Sequence, residues 1–297
     1  MKLLPVLRPW QAVTVAAGGV ALGVSVLGAG LASPALAATP KPSAGLGGTP
    51  TPQTFAECPV NSIVSVPHVG QRKVSICLVG VASTGSFRIG NLTIDFHGPG
   101  TIQGGFNPSL PGSPPTWADP LDGQSFSAPR QLLPEPVLAL LGNPAGITAP
   151  HANVYAVASQ AAPIGFSLNV GSEITTTLTL PLKFHMVNSL LGNNCYIGTD
   201  ADPIVLTLTT GTSGTLTGTL GSLNVFDNGK VLQTVGTEVV DGQFSVPAAT
   251  GCGNGGVWDN AIDTTNALPS PSGSNAAMLF GTFDLASARW VKHQLGE

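Results

Sequence analysis

Charge is scarce in this chain. Only 9% of its 297 residues are Asp, Glu, Lys or Arg, against about 25% in an average soluble protein. The eleven basic side chains form no cluster, and fifteen acidic ones outnumber them. A nucleic-acid binder that works by neutralising phosphates is therefore excluded, because nothing is concentrated enough to displace counterions. A polybasic membrane patch is excluded on the same ground. Catalytic signatures are missing too. The sequence has no Gly-x-Ser-x-Gly elbow, no His-Glu-x-x-His, no Gly-x-x-x-x-Gly-Lys-Ser/Thr loop and no EF-hand loop. It has no Cys-x-x-Cys, and His68, His97, His151 and His185 show no metal-ligand spacing. No cofactor is expected.

Glycine and proline are plentiful, at 38 and 26 residues, yet 42% of the chain is hydrophobic. Turn-rich all-β structure accounts for both facts. The N-terminus adds a location. Lys2 and Arg8 precede an apolar run from Ala12 to Ala32, Pro34, and the small-x-small triplet Ala35-Leu36-Ala37. Residues 1–37 thus read as an export signal cut before Ala38. The run is long enough to remain as an anchor, but its Gly, Ala, Ser and Thr content gives it weak insertion energy. The expected location is outside the cell, free or at its surface, with no transmembrane anchor once the signal is cleaved. Without Lys2 and Arg8 the net charge is about −6.

Residues 38–54, rich in Pro, Gly and Thr, read as a flexible linker. Residues 55–297 read as a single β-rich domain. Val60–Val66 and Val74–Val81 suggest an antiparallel pair around a Pro-His-Val-Gly-Gln turn. Ser86–Phe96 alternates as one strand, and the proline-rich stretch 107–122 reads as a surface loop. Pro134–Leu141 predicts a short helical turn closed by Gly142. The strongest pattern runs from Ile174 to Met186, with Leu178, Leu180, Leu182, Phe184 and Met186 on one face and Thr, Lys and His on the other. Pro181 within it suggests an edge or a bulge. Ile204–Thr210 repeats the pattern. Hairpins are expected at Asp227-Asn228-Gly229 and at Asp241-Gly242. Ala276–Leu285 reads as a last strand, followed by a helical turn or a frayed tail. The whole predicts an antiparallel β-sandwich of two sheets with little helix, a β-barrel being the alternative.

Cys58, Cys77, Cys195 and Cys252 are the only thiols. In an oxidising space they read as two disulfides. Of the three possible pairings, Cys58–Cys77 and Cys195–Cys252 keep each bridge within one half of the chain.

Much of residues 58–285 resembles a family of secreted actinobacterial proteins without assigned activity. The resemblance is carried by Val187-Asn188-Ser189-Leu190-Leu191-Gly192-Asn193-Asn194-Cys195-Tyr196-Ile197-Gly198, by Asp202-Pro203-Ile204 and by Leu206 to Gly211. Val240-Asp241-Gly242-Gln243-Phe244, Gly251-Cys252-Gly253 and Leu268-Pro269-Ser270 extend it, with Cys77-Leu78 and Gln103-Gly104-Gly105 earlier. It implies an exported, disulfide-bonded protein of a thick-walled bacterium. It implies no substrate and no catalytic residue.

A few residues remain as functional candidates. Trp117, Trp258 and Tyr196 could stack on sugar rings. Asp200 and Asp202, with Asp259 and Asp263, could offer oxygen ligands to Ca²⁺, although loop carboxylates beside Gly and Asn serve as solvated turn residues more often. Asp95 and His97 could begin a hydrolytic dyad if Asp95, His97 or His185 converges with another carboxylate in one cleft. Gly251–Gly256 resembles a nucleotide loop only superficially, since it contains Cys252. The leading expectation is a non-enzymatic structural or binding module whose partner is a cell-wall glycan or a surface protein. A carbohydrate-binding module and an extracellular hydrolase are the alternatives.

Overall fold

The computed structural model describes residues 48–64, 75–107, 116–170 and 174–297. The export segment, most of the linker and the Pro-His-Val-Gly-Gln turn lie outside the described residues. The chain enters through a 3-10 turn at Pro52–Phe55 and one helical turn, α1 (Val60–Ile63). Two long strands follow, β1 (Ile76–Ile89) and β2 (Leu92–Asn107), then β3 (Thr116–Ala118), β4 (Phe126–Ser127) and β5 (Gln131–Leu132). After α2 (Val137–Leu140) come β6 (Tyr155–Gln160), β7 (Gly165–Val170), β8 (Ile174–Val187), β9 (Tyr196–Ile197) and β10 (Ile204–Thr209). The hairpin β11 (Thr212–Ser213) and β12 (Leu216–Thr217) precedes β13 (Ser222–Phe226), β14 (Val231–Asp241) and β15 (Ala249–Thr250). Helix α3 (Asp259–Asn266), β16 (Ala276–Ser287) and helix α4 (Ala288–Leu295) complete the order.

The fold is all-β and antiparallel, as the alternating runs predict. Among the described residues, fourteen strands form one sheet along the path β15-β9-β8-β10-β14-β16-β1-β2-β3, with β4 to β7 and β13 as side branches. The sheet curls until its inner faces meet. Phe87 of β1 lies edge-on to Phe184 of β8 with centroids 5.7 Å apart, and Phe106 of β2 meets Phe166 of β7 at 5.1 Å. The two layers of the sandwich are thus halves of one continuous sheet, which carries the curl part of the way to a barrel. Gln131 joins the margins that the curl brings together. Its buried side chain accepts from His97 N at 2.9 Å and donates to the His97 carbonyl at 3.1 Å, linking β5 to β2 where no ladder runs.

A row of irregularities bends the long strands. Relative to β16, β1 has an extra Ser83 and β14 an extra Gly236, and β2 sets the pair Gly98-Pro99 against Ser83. These positions are adjacent across β14, β16, β1 and β2, so the strands kink at one level. The inner positions there are small: Gly80, Ala82, Gly100 and Gly281. A Cβ on Gly281 would lie 2.0 Å from the Val81 carbonyl oxygen, so no other residue fits the crossing.

β8 is the opposite case. It runs straight, and Leu178, Leu180, Leu182, Phe184 and Met186 are buried, as the period-2 pattern predicts. Pro181 does not mark an edge, which corrects that expectation. The strand is central, pairing with β10 on one side and with β7 and then β6 on the other. The Pro181 carbonyl accepts from Ala161 N at 2.9 Å, so its missing donor faces the gap between β6 and β7. Proline is tolerated because neither β6 nor β7 continues the ladder on the side its nitrogen faces, while Val205 of β10 pairs with it on the other side.

Three other local readings are corrected. Residues 60–63 form α1 rather than a strand, so Val60–Ile63 does not pair with β1, and Ser65 and Val66 lie outside the described residues. Ser86–Phe96 is a hairpin, not one strand: Gly90, at φ +58°, turns the chain, and the turn docks through Asn91 N on the Asn266 carbonyl and Gly90 N on Asn275 Oδ1. Asp241-Gly242 is not a hairpin. Buried Asp241 instead accepts from Thr207 N, Ser213 Oγ and Gln243 N, tying β10, β11 and the end of β14 together. The turn at Asp227–Gly229 does join β13 to β14, with Asp227, Asn228 and Gly229 all left-handed.

Both expected disulfides form, Cys58–Cys77 and Cys195–Cys252. The first sits in a small outer core where Phe55, Val60, Ile63 and Trp290 cover the sheet's convex face. Within the stretch read as linker, Pro50 is buried and the Gly48 carbonyl accepts from Gln233 Nε2 at 2.8 Å.

Candidate functional site

The margins joined by Gln131 part again further along. There a cleft of about 570 Å³ opens between residues 123–128 on one side and 158–163 on the other. Its far wall is the gap opposite Pro181, where β6 has ended and β7 has not begun. Phe126, Ala128 and Ala158 line this cleft and also line a void of about 40 Å³ inside the curl, beneath the kinked row. Cleft and void therefore share one wall.

Their chemistries differ. The void is bounded by aliphatic and aromatic side chains, glycine and alanine, with Thr237 its single polar side chain. The cleft presents Gln124, Ser127, Ser159 and Gln160. Ser125 at its base is buried and committed: it donates to Asp119 Oδ1 at 2.6 Å and accepts from Trp117 Nε1 at 3.1 Å. The lining includes no Lys, Arg or His, and Asp119 is its one ionisable group. Such a surface can offer hydrogen bonds to hydroxyl and amide groups. The one base beside Ser125 is the Asp119 carboxylate that accepts its proton, and the lining adds no histidine or lysine to complete a catalytic triad with them.

The three aromatic candidates do not assemble into a stacking platform. The Trp117 indole covers Gly104, where a Cβ would lie 2.5 Å from the ring, and its N–H is spent on Ser125. Trp258 is half-buried against the main core beside Gly253. Tyr196 stands on the outer face of β9, stacked on His185 at 4.7 Å with Lys183 Nζ 5.9 Å from its ring centre. No ring contact links any two of the three.

The hydrolytic candidates also separate. Asp95 and His97 are exposed on the outer face of β2, while His185 is on the outer face of β8 in the opposing layer. Three of the four carboxylates considered for Ca²⁺ have other work. Asp200 pairs with Lys183 at 2.6 Å. Asp259 accepts from Cys252 N and Gly251 N, and Asp263 from Ala249 N, so both pin the β15 loop to α3. Burial pushes the Asp263 carboxyl above its ordinary range; the Ala249 N–H opposes that rise and the nearby Asp259 adds to it. Among the described residues no group of three or more potential ligands is arranged to hold a metal ion.

Sequence reasoning missed the cleft altogether. Its residues are Ser, Gln, Gly and Ala in loops, without periodicity or motif, and only the curl brings 123–128 to 158–163. Comparison with family models, with curated proteins and with solved structures returned no match.

Proposed function

We propose that this protein is exported and acts outside the cell as a non-enzymatic binding module, with its ligand in the cleft beside the β4–β6 margin. The observation that carries this reading is the cleft lining: neutral hydrogen-bonding side chains, one carboxylate, and no acid–base pair. A ligand rich in hydroxyl or amide groups, such as a cell-wall glycan, suits that surface. The export signal read in residues 1–37 and the two disulfides support an oxidising, extracellular setting. The resemblance to secreted actinobacterial proteins supports a wall as the place to look.

The test is co-sedimentation of the purified protein with isolated actinobacterial walls. Saturable pelleting, competed by free wall glycan and weakened at least tenfold in a Ser127→Ala/Ser159→Ala/Gln160→Ala variant, is expected. Protein that stays in the supernatant, or pelleting untouched by the triple variant, refutes the assignment to this cleft. A Trp117→Ala/Trp258→Ala pair that retains its fold and its pelleting would exclude the tryptophan-based carbohydrate module.

A further inference from the structure

We infer that cleft and void form one site for a neutral amphiphile, with a hydroxylated head in the cleft and a narrow alkyl end under the kinked row. The inference rests on the binding-module reading and adds the chemical class of the ligand.

The argument begins with the kink. Three strands carry extra residues at one level, and Gly80, Ala82 and Gly100 face inward there. Large side chains cannot occupy those positions: a Cβ on Gly80 would lie 2.7 Å from the Phe283 ring, and one on Gly100 would lie 2.6 Å from Phe96. The Phe283 and Phe96 rings fill the space over these glycines, and an apolar void of about 40 Å³ remains beside them. An apolar void of this kind excludes water, since a water molecule needs two or more polar partners. Its natural occupant is hydrocarbon.

Size narrows the class. A dry cavity of about 150 Å³ takes a benzene ring. The void here measures about 40 Å³, which admits the tip of a linear chain and excludes rings and branched ends. Phe126, Ala128 and Ala158 face both compartments, so the alkyl end would pass between these side chains. Charge narrows the head group. With no cation in the cleft lining, a carboxylate or phosphate would be desolvated without a counter-charge and would face Asp119. A hydroxyl-bearing head meets Gln124, Ser127, Ser159 and Gln160 instead.

Calorimetric titration of the full purified protein with alkyl β-glucosides, from methyl to decyl and below their micelle concentrations, tests the inference. Affinity is expected to rise about fourfold per methylene over the first few carbons, as burial of CH₂ groups dictates, and then to level off once the void is filled. Decanoate and decyl phosphate are expected to bind at least tenfold more weakly than decyl glucoside. Ala158→Trp is expected to remove the chain-length dependence. Ala128→Trp, on the other margin, serves the same purpose should the first variant fail to fold.

A flat dependence on chain length, or anions binding as well as the glucosides, overturns the inference. If wall glycan still pellets the protein in that case, the binding-module reading stands without an alkyl site. If neither walls nor any glucoside binds, both fall.

Discussion

β1 and β8 are each fourteen residues long and lie in opposite layers of the same sheet, yet they are built on different principles. β8 alternates without interruption, and every second side chain from Leu178 to Met186 fills the core. In β1, Leu78 and Gly80 face inward before Ser83, whereas Gly85, Phe87 and Ile89 face inward after it, so the alternation changes phase at the bulge. The straight strand supplies hydrophobic volume and the kinked one supplies curvature. Curvature costs volume, because the kink needs small residues, and the void remains beside them.

The largest predicted effect tests the kink itself. Gly281→Val places a side chain into the Val81 carbonyl, and overpacking a close backbone crossing should cost more than about 3 kcal/mol or prevent folding. On β8, Leu180→Ala removes volume instead and should cost about 2–5 kcal/mol while leaving the fold intact. Chemical denaturation with circular dichroism distinguishes these outcomes. A Gly281→Val protein as stable as the wild type would show that the crossing of β1 and β16 is looser than described.

The disulfides extend the comparison, since each serves one half. Cys58–Cys77 fastens the entry segment to β1, and Cys195–Cys252 fastens β9, beside β8, to the loop before α3. Closing loops with sequence separations of 19 and 57 residues is worth roughly 3 and 4 kcal/mol in the chain-entropy model. Removing them one at a time as Ser pairs should lower the melting temperature more for Cys195/Cys252 than for Cys58/Cys77. Equal losses would mean that native packing around the outer core, not loop length, sets the value of the first bridge.

The same contrast explains what could be read from sequence. β8 and β10 were legible because burial on one face writes a period of two into the sequence, and β16, buried on much of both faces, was legible as an apolar run. The kinked strands were not, because Ser83, Gly98-Pro99 and Gly236 reset the alternation and look like turns. Helix α3 was hidden for another reason. DNAIDTTN is poor in helix formers, and it folds as a helix because Ile262 is buried and Asp259 and Asp263 take the N–H groups of the β15 loop. The disulfide pairing was legible from spacing and context. The cleft was not, since its two walls are thirty or more positions apart and share no chemistry that either announces alone.

Gln131 is the stitch between the halves and carries the next effect in size. Replacing it with Ala leaves His97 N and O without their partner on β5. Gln131 is buried but His97 is exposed, so water can replace part of what is lost and Gln131→Ala should destabilise by about 1 kcal/mol. It should also speed hydrogen exchange at His97 selectively while leaving β8 amides unchanged. Uniform loss of protection across both layers would mean that the margins do not open independently.

The smallest effect concerns Asp284, on the outer face of the kinked half. Burial raises its carboxyl above the ordinary value of 3.8, and a hydrogen bond with Gln233 only partly offsets that rise. Its Oδ1 has no hydrogen-bond partner. A folded-state pKa above the unfolded one means that the native protein holds the proton more tightly. Stability should therefore be greater at low pH and fall as pH rises from about 4 through the raised folded value. Because the group is partly open to solvent, screening limits the effect to a fraction of a kcal/mol. Asp284→Asn should remove this component and stabilise the protein slightly at neutral pH, read as a flatter melting profile between pH 4 and 7. A variant less stable at neutral pH would show instead that the carboxylate is a useful acceptor for Gln233, and that the kinked half tolerates its charge by solvation rather than suffering from its burial.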